Sequence, residues 1–293
     1  MNNTDFAKKD KYTLGVESSD ECSSYAHITN ENINNEVEAS DISLKSFDVQ
    51  SKLPDKLWNG KELNSRVRLE LLQISNDFWE SVHLSWVKPK GLILTGSICN
   101  YNWSKYSDID LHLIVDFREI HERVDFVQEY FDEKKNAWNN EHEYLTIYGF
   151  PVELYVQDIN AEVESGGIYD LNKARWIQQP KSSDIKPIKD KDKGKIKLVS
   201  AKIMTKIDSL CSAFDESDDD WEKEQIGKEV ENLLKVIKHK RKIGLRDGEM
   251  GEGNIVYKVL RRSGYLEKLW NLSTRVYDDV NSIDESLITD LKR

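Results

Sequence analysis

Gly91-Leu92-Ile93-Leu94-Thr95-Gly96-Ser97, then ten residues, then Asp108-Ile109-Asp110-Leu111-His112-Leu113-Ile114-Val115 is the stretch whose reading decides the fold. The first segment is a short apolar run closed by Gly-Ser, which predicts a buried strand ending in a turn. The second alternates. Successive side chains of a strand point to opposite faces, so Asp108, Asp110 and His112 share one face, and Ile109, Leu111, Leu113 and Val115 share the other. That second face can pack on a helix. The two aspartates then stand roughly 6.5 Å apart along the strand. Two ions held about 3.5–4 Å apart lie within reach of both. Paired carboxylates repel, and a bound cation relieves the repulsion.

Outward from this core, the chain before it reads as a helix from Asn64, with Val67, Leu71, Ile74, Phe78 and Val82 on one face, and Pro89 interrupts beyond it. After the second strand, Asp116 and Glu119 resemble a helix cap, and Ile120, Val124, Val127 and Phe131 line one face of the helix expected there. Tyr144 to Tyr148 and Val152 to Gln157 read as two strands joined around Gly149-Phe150-Pro151. In the second of these, Val152, Leu154 and Val156 face one way and Glu153 the other. If that strand shares a sheet with Asp108 and Asp110, Glu153 completes a metal site and can also accept a proton from an attacking hydroxyl.

Magnesium takes one or two carboxylates and fills its shell with phosphate oxygens and water, so a triphosphate suits the site. Gly96 lets backbone approach a phosphate, and the Ser97 hydroxyl and N–H can bond a phosphate oxygen. Lys105 is a further phosphate contact or a solvated loop lysine. His112 reads as a neighbour of an all-oxygen site, Cys99 as packed, and Trp176 as a core aromatic in preference to a base-stacking one.

The expected fold class is α+β: a small mixed sheet flanked by helices, then an all-helical region. Residues 1–48 read as a disordered acidic tail, 49–185 as the core, and 186–293 as helical, with a boundary at Pro180 and the Lys/Asp-rich stretch from Lys181 to Lys195. In the last part, Ile196, Val199, Ile203, Ile207 and Leu210 form one helical face. Ile226, Val230, Leu233 and Ile237 form a second, on a helix stopping near Gly244. The segment Asn254 to Arg262 and the run from Leu266 to Leu272 complete it.

The 293 residues include 38% hydrophobic and 10% aromatic residues, enough for a real core. A net charge of −11 argues against tracking of a long nucleic acid except through a local patch. Lys235, Lys238, Lys240, Arg241 and Lys242 form such a patch near a helix end. The helix dipole alone accounts for it, and a grip on an RNA backbone is the alternative. Arg261 and Arg262 sit on a later helix that can close over a triphosphate. Cys22, Cys99 and Cys211 are far apart and odd in number, as free thiols of a cytoplasmic protein are. No run approaches a membrane span, and the first residues lack the apolar region of a signal peptide. The Asn- and Lys-rich composition accords with an AT-rich coding sequence, bacterial or viral.

Leu94-Thr95-Gly96-Ser97, the spacer Ile98 to Tyr106, Ser107-Asp108-Ile109-Asp110-Leu111 and the strand glutamate Glu153 together resemble the nucleotidyltransferase superfamily that includes DNA polymerase β. The resemblance covers roughly residues 60 to 180. It implies transfer of a nucleoside monophosphate from a nucleoside triphosphate to a hydroxyl, with release of pyrophosphate. It also implies two Mg²⁺ or Mn²⁺ ions on Asp108, Asp110 and Glu153, and nucleotide at Gly96, Ser97 and Lys105. Many members carry a small or basic residue set within the spacer; here it reads Ile98-Cys99-Asn100-Tyr101-Asn102-Trp103-Ser104-Lys105-Tyr106, a departure from which no subfamily follows. Ser165 through Trp176 and the helical C-terminus are loosely similar to nucleotidyltransferase-like proteins of bacteria and large phages. The acceptor stays open among a small molecule, a protein hydroxyl and an RNA 3′ end. A catalytically silent nucleotide- or partner-binding module is the alternative function, and a metal-dependent phosphodiesterase is a third.

Overall fold

The computed structural model describes residues 37–163 and 165–283. It is an α+β protein. A mixed six-stranded sheet with helices occupies the N-terminal half, and four helices follow. The chain divides into two compact units, one of Lys45–Pro187 and one in which residues 37–44 join the chain from Ile188 onward.

The first unit opens on a small hairpin, β1 (Trp58–Asn59) and β2 (Glu62–Leu63). Helix α1 (Ser65–Val82) follows. The Asn64 side chain caps it by accepting from the Arg66 N–H, and His83 ends it in a left-handed conformation. Its buried stripe is Val67, Leu71, Ser75, Phe78 and Val82, at helical spacing. Strand β3 (Gly91–Thr95) pairs antiparallel with β4 (Ile109–Val115), whose side chains alternate between fully buried and half-buried. Helix α2 (Val124–Glu141) then carries the chain across to β6 (Phe150–Asp158), which lies parallel to β4. Parallel neighbours need a crossover of this kind.

The remaining strands are β5 (Thr146–Ile147), β7 (Ile168–Asp170) and β8 (Arg175–Gln178), giving the order β5-β6-β4-β3-β7-β8. Ile109, Leu111, Leu113 and Val115 meet Val152, Leu154 and Val156 in one core with Phe78, Phe117, Val127 and Phe131. Beyond Pro151, β6 has no strand on its outer side among the described residues. Two of its outward amides are served instead: the Val152 N–H donates to Leu145 O at 3.0 Å, and the Leu154 N–H to Asn139 Oδ1 at 3.3 Å. An α2 side chain thus closes a strand edge that would otherwise expose unpaired backbone.

Three expectations change, and four short strands went unread. Asp116 does cap, accepting from the Arg118 N–H, but it caps a single 3-10 turn (Phe117–Glu119), and α2 begins only at Val124. A side-chain cap serves a short turn as well as a long helix. The β5–β6 turn is Tyr148-Gly149, with φ of 52° and 88°, and Phe150 and Pro151 belong to the strand. Two adjacent left-handed residues make the tight turn that matches strand twist. Strands β7 and β8, and the β1–β2 hairpin, were not legible because two to four residues are too few to show alternation. Last, residues 37–48 are structured, although composition assigned them to a disordered tail. They form two 3-10 turns and bury Ile42, Leu44 and Phe47, and the Val37 N–H donates to Thr205 Oγ1 at 3.2 Å. Scattered apolar residues without a period found partners that no local pattern reveals. Residues 1–36, with Cys22, lie outside the described residues.

The second unit holds α3 (Asp190–Glu216), α4 (Asp220–Arg246), α5 (Glu252–Arg262) and α6 (Tyr265–Asn281). Helix α4 extends two residues past Gly244. The core is Ile196, Ile203, Ile207, Leu210, Val230, Ile237, Ile255, Leu266, Leu269 and Leu272, all buried. Among the described residues, no helix is long and apolar enough to cross a membrane.

Candidate metal centre

Asp110 and Glu153 are register partners across the parallel β4–β6 pair. Partners in a sheet point to the same face, so the two carboxylates emerge side by side, opposite the apolar face that fills the core. Asp108 stands directly ahead of β4. One oxygen from each of Asp108, Asp110 and Glu153 can be chosen so that all lie within 4.8 Å of one another, and all three residues are half-buried.

The turn after β3 is shaped to this cluster. Gly96 has φ 73° and ψ −164°, a region essentially restricted to glycine. A Cβ there would sit 1.7 Å from Asp110 Oδ2. The carboxylate therefore occupies the space that any other residue would fill. Ser97 Oγ donates to Ser107 Oγ at 2.8 Å, which in turn accepts from the Ser104 N–H at 2.9 Å. The half-buried Ser97 and the buried Ser104 and Ser107 tie the Gly-Ser turn to the loop that delivers Asp108. Gly167 packs on the same turn, where a Cβ would meet Cys99 O at 1.9 Å.

His112 shares the acidic face but is fully committed. Gln157 Nε2 donates to Ala161 O, so Gln157 Oε1 faces the ring and accepts from Nδ1 at 3.0 Å. Nε2 is then the acceptor of the neutral tautomer, 3.2 Å from the Thr95 hydroxyl. Burial holds the ring's pKa down to about 4, with the Lys135 charge acting in the same direction and the Gln157 hydrogen bond opposing. His112 is thus a neutral scaffold residue, and the face it shares offers carboxylate oxygens to a cation. The Cys99 thiol is buried, and burial first, then the Asp110 charge, pushes its pKa up, so it stays protonated.

The residues expected to bind nucleotide part company. Gly96 touches Asp110 and Ser97 braces the loop before Asp108. Lys105 is exposed, with its Nζ 4.9 Å from the Tyr106 ring centroid. Trp176 stacks on Trp58 at 4.7 Å and donates to Lys61 O at 2.7 Å, which fits packing and not base stacking. In the helical unit, Lys235 lies 3.8 Å from Glu231, and the Arg241 guanidinium lies 4.3 Å from the Tyr257 ring centroid. Arg261 and Arg262 form the last turn of α5.

Sequence reasoning missed Tyr155 and Lys135. Tyr155 Oη donates to Glu153 Oε2 at 2.7 Å, and its ring stacks on His112 with centroids 4.7 Å apart. The Lys135 side chain is 3% exposed, with Nζ 4.7 Å from the Tyr155 ring centroid. Signals for both existed. Tyr155 and Gln157 continue the Glu153 face at every second residue, and Lys135 interrupts the buried α2 stripe of Val127 and Phe131.

Hard oxygen donors at this spacing fit one or two small divalent cations, and repulsion among three converging carboxylates favours such a guest. No protein-family model, curated protein or solved structure matches the chain.

Proposed function

We propose that the chain is a metal-dependent nucleotidyltransferase, moving a nucleoside monophosphate from a nucleoside triphosphate to an acceptor hydroxyl with release of pyrophosphate. The observation that carries this reading is the convergence of the Asp108, Asp110 and Glu153 oxygens within 4.8 Å, against a Gly-Ser turn whose glycine admits the Asp110 carboxylate. Asp108 and Asp110 would hold two Mg²⁺ or Mn²⁺ ions, and Glu153 one of them. Such ions lower the pKa of an attacking hydroxyl and stabilise charge on the departing pyrophosphate.

The chain's own residues do the positioning. Gly96 permits close backbone approach to a phosphate oxygen. The Ser97 hydroxyl, now given to Ser107, lies at the same turn. The acidic face of β4 and β6 orients the reacting groups for in-line attack on the α-phosphate. The net charge of −11 favours a small-molecule or protein hydroxyl as acceptor over a long nucleic acid.

The test is incubation with labelled ATP, CTP, GTP and UTP, Mg²⁺ or Mn²⁺, and candidate acceptors. Pyrophosphate release that disappears in Asp110→Ala supports the reading. Nucleotide binding with no turnover under any condition refutes it in favour of a silent binding module. Among active acceptors, affinity that falls steeply with salt identifies RNA, and affinity indifferent to salt identifies a small or protein acceptor.

A further inference from the structure

We infer that Tyr155 is a positioning residue that sets which divalent cation the Asp108–Asp110–Glu153 cluster prefers. The inference rests on the nucleotidyltransferase reading only through its metal site. Tyr155 and Glu153 lie two residues apart on β6, so both side chains leave the sheet on the same face. The Tyr155 hydroxyl donates to Glu153 Oε2 at 2.7 Å. Its ring is itself held. It stacks on His112 at 4.7 Å, and it lies against the buried ammonium of Lys135, also at 4.7 Å. His112 is in turn fixed by Thr95 and Gln157. A phenol clamped this way restrains the rotation of the Glu153 carboxylate.

The restraint discriminates between ions. A cation that takes a carboxylate through both oxygens competes with the hydrogen bond to Oε2. A cation that takes one oxygen does not. Mg²⁺ and Mn²⁺ suit six-coordinate sites with single-oxygen ligation, whereas Ca²⁺ takes more ligands and readily uses both oxygens of a carboxylate. Tyr155 therefore favours Mg²⁺ and Mn²⁺ and disfavours Ca²⁺. Outer-shell partners of this type commonly carry 10- to 100-fold in metal affinity.

The test measures Mn²⁺ and Ca²⁺ binding separately, without nucleotide, on the full chain and on Tyr155→Phe, which keeps the ring and removes the hydroxyl. Mn²⁺ affinity is expected to fall about tenfold, with Ca²⁺ affinity changed by no more than about threefold, so that the Mn²⁺/Ca²⁺ preference narrows. Glu153→Asp draws the carboxylate away from the same hydroxyl and is expected to narrow the preference as well, which keeps the test open should Tyr155→Phe not fold. An unchanged Mn²⁺/Ca²⁺ ratio in both variants, whether affinities hold or fall together, overturns the inference. Asp110→Ala separates the two levels. If it loses both ions while Tyr155→Phe keeps the wild-type ratio, the positioning role alone fails. If it binds both ions as the wild type does, the metal site fails and the inference with it.

Discussion

Asp110 on β4 and Glu153 on β6 are direct partners in a parallel strand pair, and their carboxylates share the face opposite the hydrophobic core. Without a cation, this pairing concentrates negative charge. A cluster of this kind costs stability unless a bound cation relieves the repulsion. Asp110→Asn is expected to raise the stability of the metal-free protein by up to about 1 kcal/mol. Mn²⁺ is expected to stabilise the wild type, and the same change to abolish that gain. Thermal unfolding with and without Mn²⁺, in chelator-treated buffer, checks both signs. Under the proposed transferase reading, turnover is expected to fall on the order of 10³-fold.

Gly96→Ala should damage the same site from the other side. The φ of 73° with ψ −164° disfavours alanine by about 2 kcal/mol. The new methyl would also lie on the Asp110 carboxylate, 1.7 Å from Oδ2. Loss of Mn²⁺ binding should accompany the loss of stability. Calorimetric titration with Mn²⁺ and a urea melt measure the two effects, and retained wild-type metal binding would contradict the packing described.

His112 predicts a pH dependence of folding. Its pKa in the folded protein is lowered from 6.5 to about 4, mainly by burial. Between those values the unfolded chain binds the proton that the folded chain refuses. Stability from this residue is therefore present above about pH 6.5 and is lost as pH falls toward 4. The full difference corresponds to about 3 kcal/mol. His112→Gln should flatten the slope of unfolding free energy against pH across this window. An unchanged slope would show that the imidazole protonates in place.

Asn139→Ala should open the outer edge of β6. The amide accepts from the Leu154 N–H at 3.3 Å and donates to Leu154 O at 3.5 Å, both long contacts. A cost of about 1 kcal/mol is expected. Faster hydrogen exchange at the Leu154 amide, with slow exchange retained at Leu111 and Leu113 in the neighbouring strand, would place the effect at that edge.

Much of the site was legible because alternation is local. Ile109 to Val115 could bury one face only by placing Asp110 and His112 on the other, and Val152 to Val156 dictated the same for Glu153. Helix α1 announced itself through Asn64 and its apolar stripe. Strands β7 and β8 did not, because their evidence is hydrogen bonding to β3 and to each other, between residues distant in sequence. Residues 37–48 misled for a related reason: Ile42, Leu44 and Phe47 are buried without any periodic pattern.

Which side of a strand each acid occupies was thus settled by the order of residues, since the backbone itself turns successive side chains to opposite faces. That position 110 stands beside position 153 was not. A slip of one residue would turn one carboxylate away from the other. The register is set by the α2 crossover and by the fit of Ile109, Leu111 and Leu113 against Val152, Leu154 and Val156. The tertiary structure alone brought Lys135 from α2 onto Tyr155 and set Asp110 into the space left by Gly96, because such contacts depend on packing between segments and leave no local period to read.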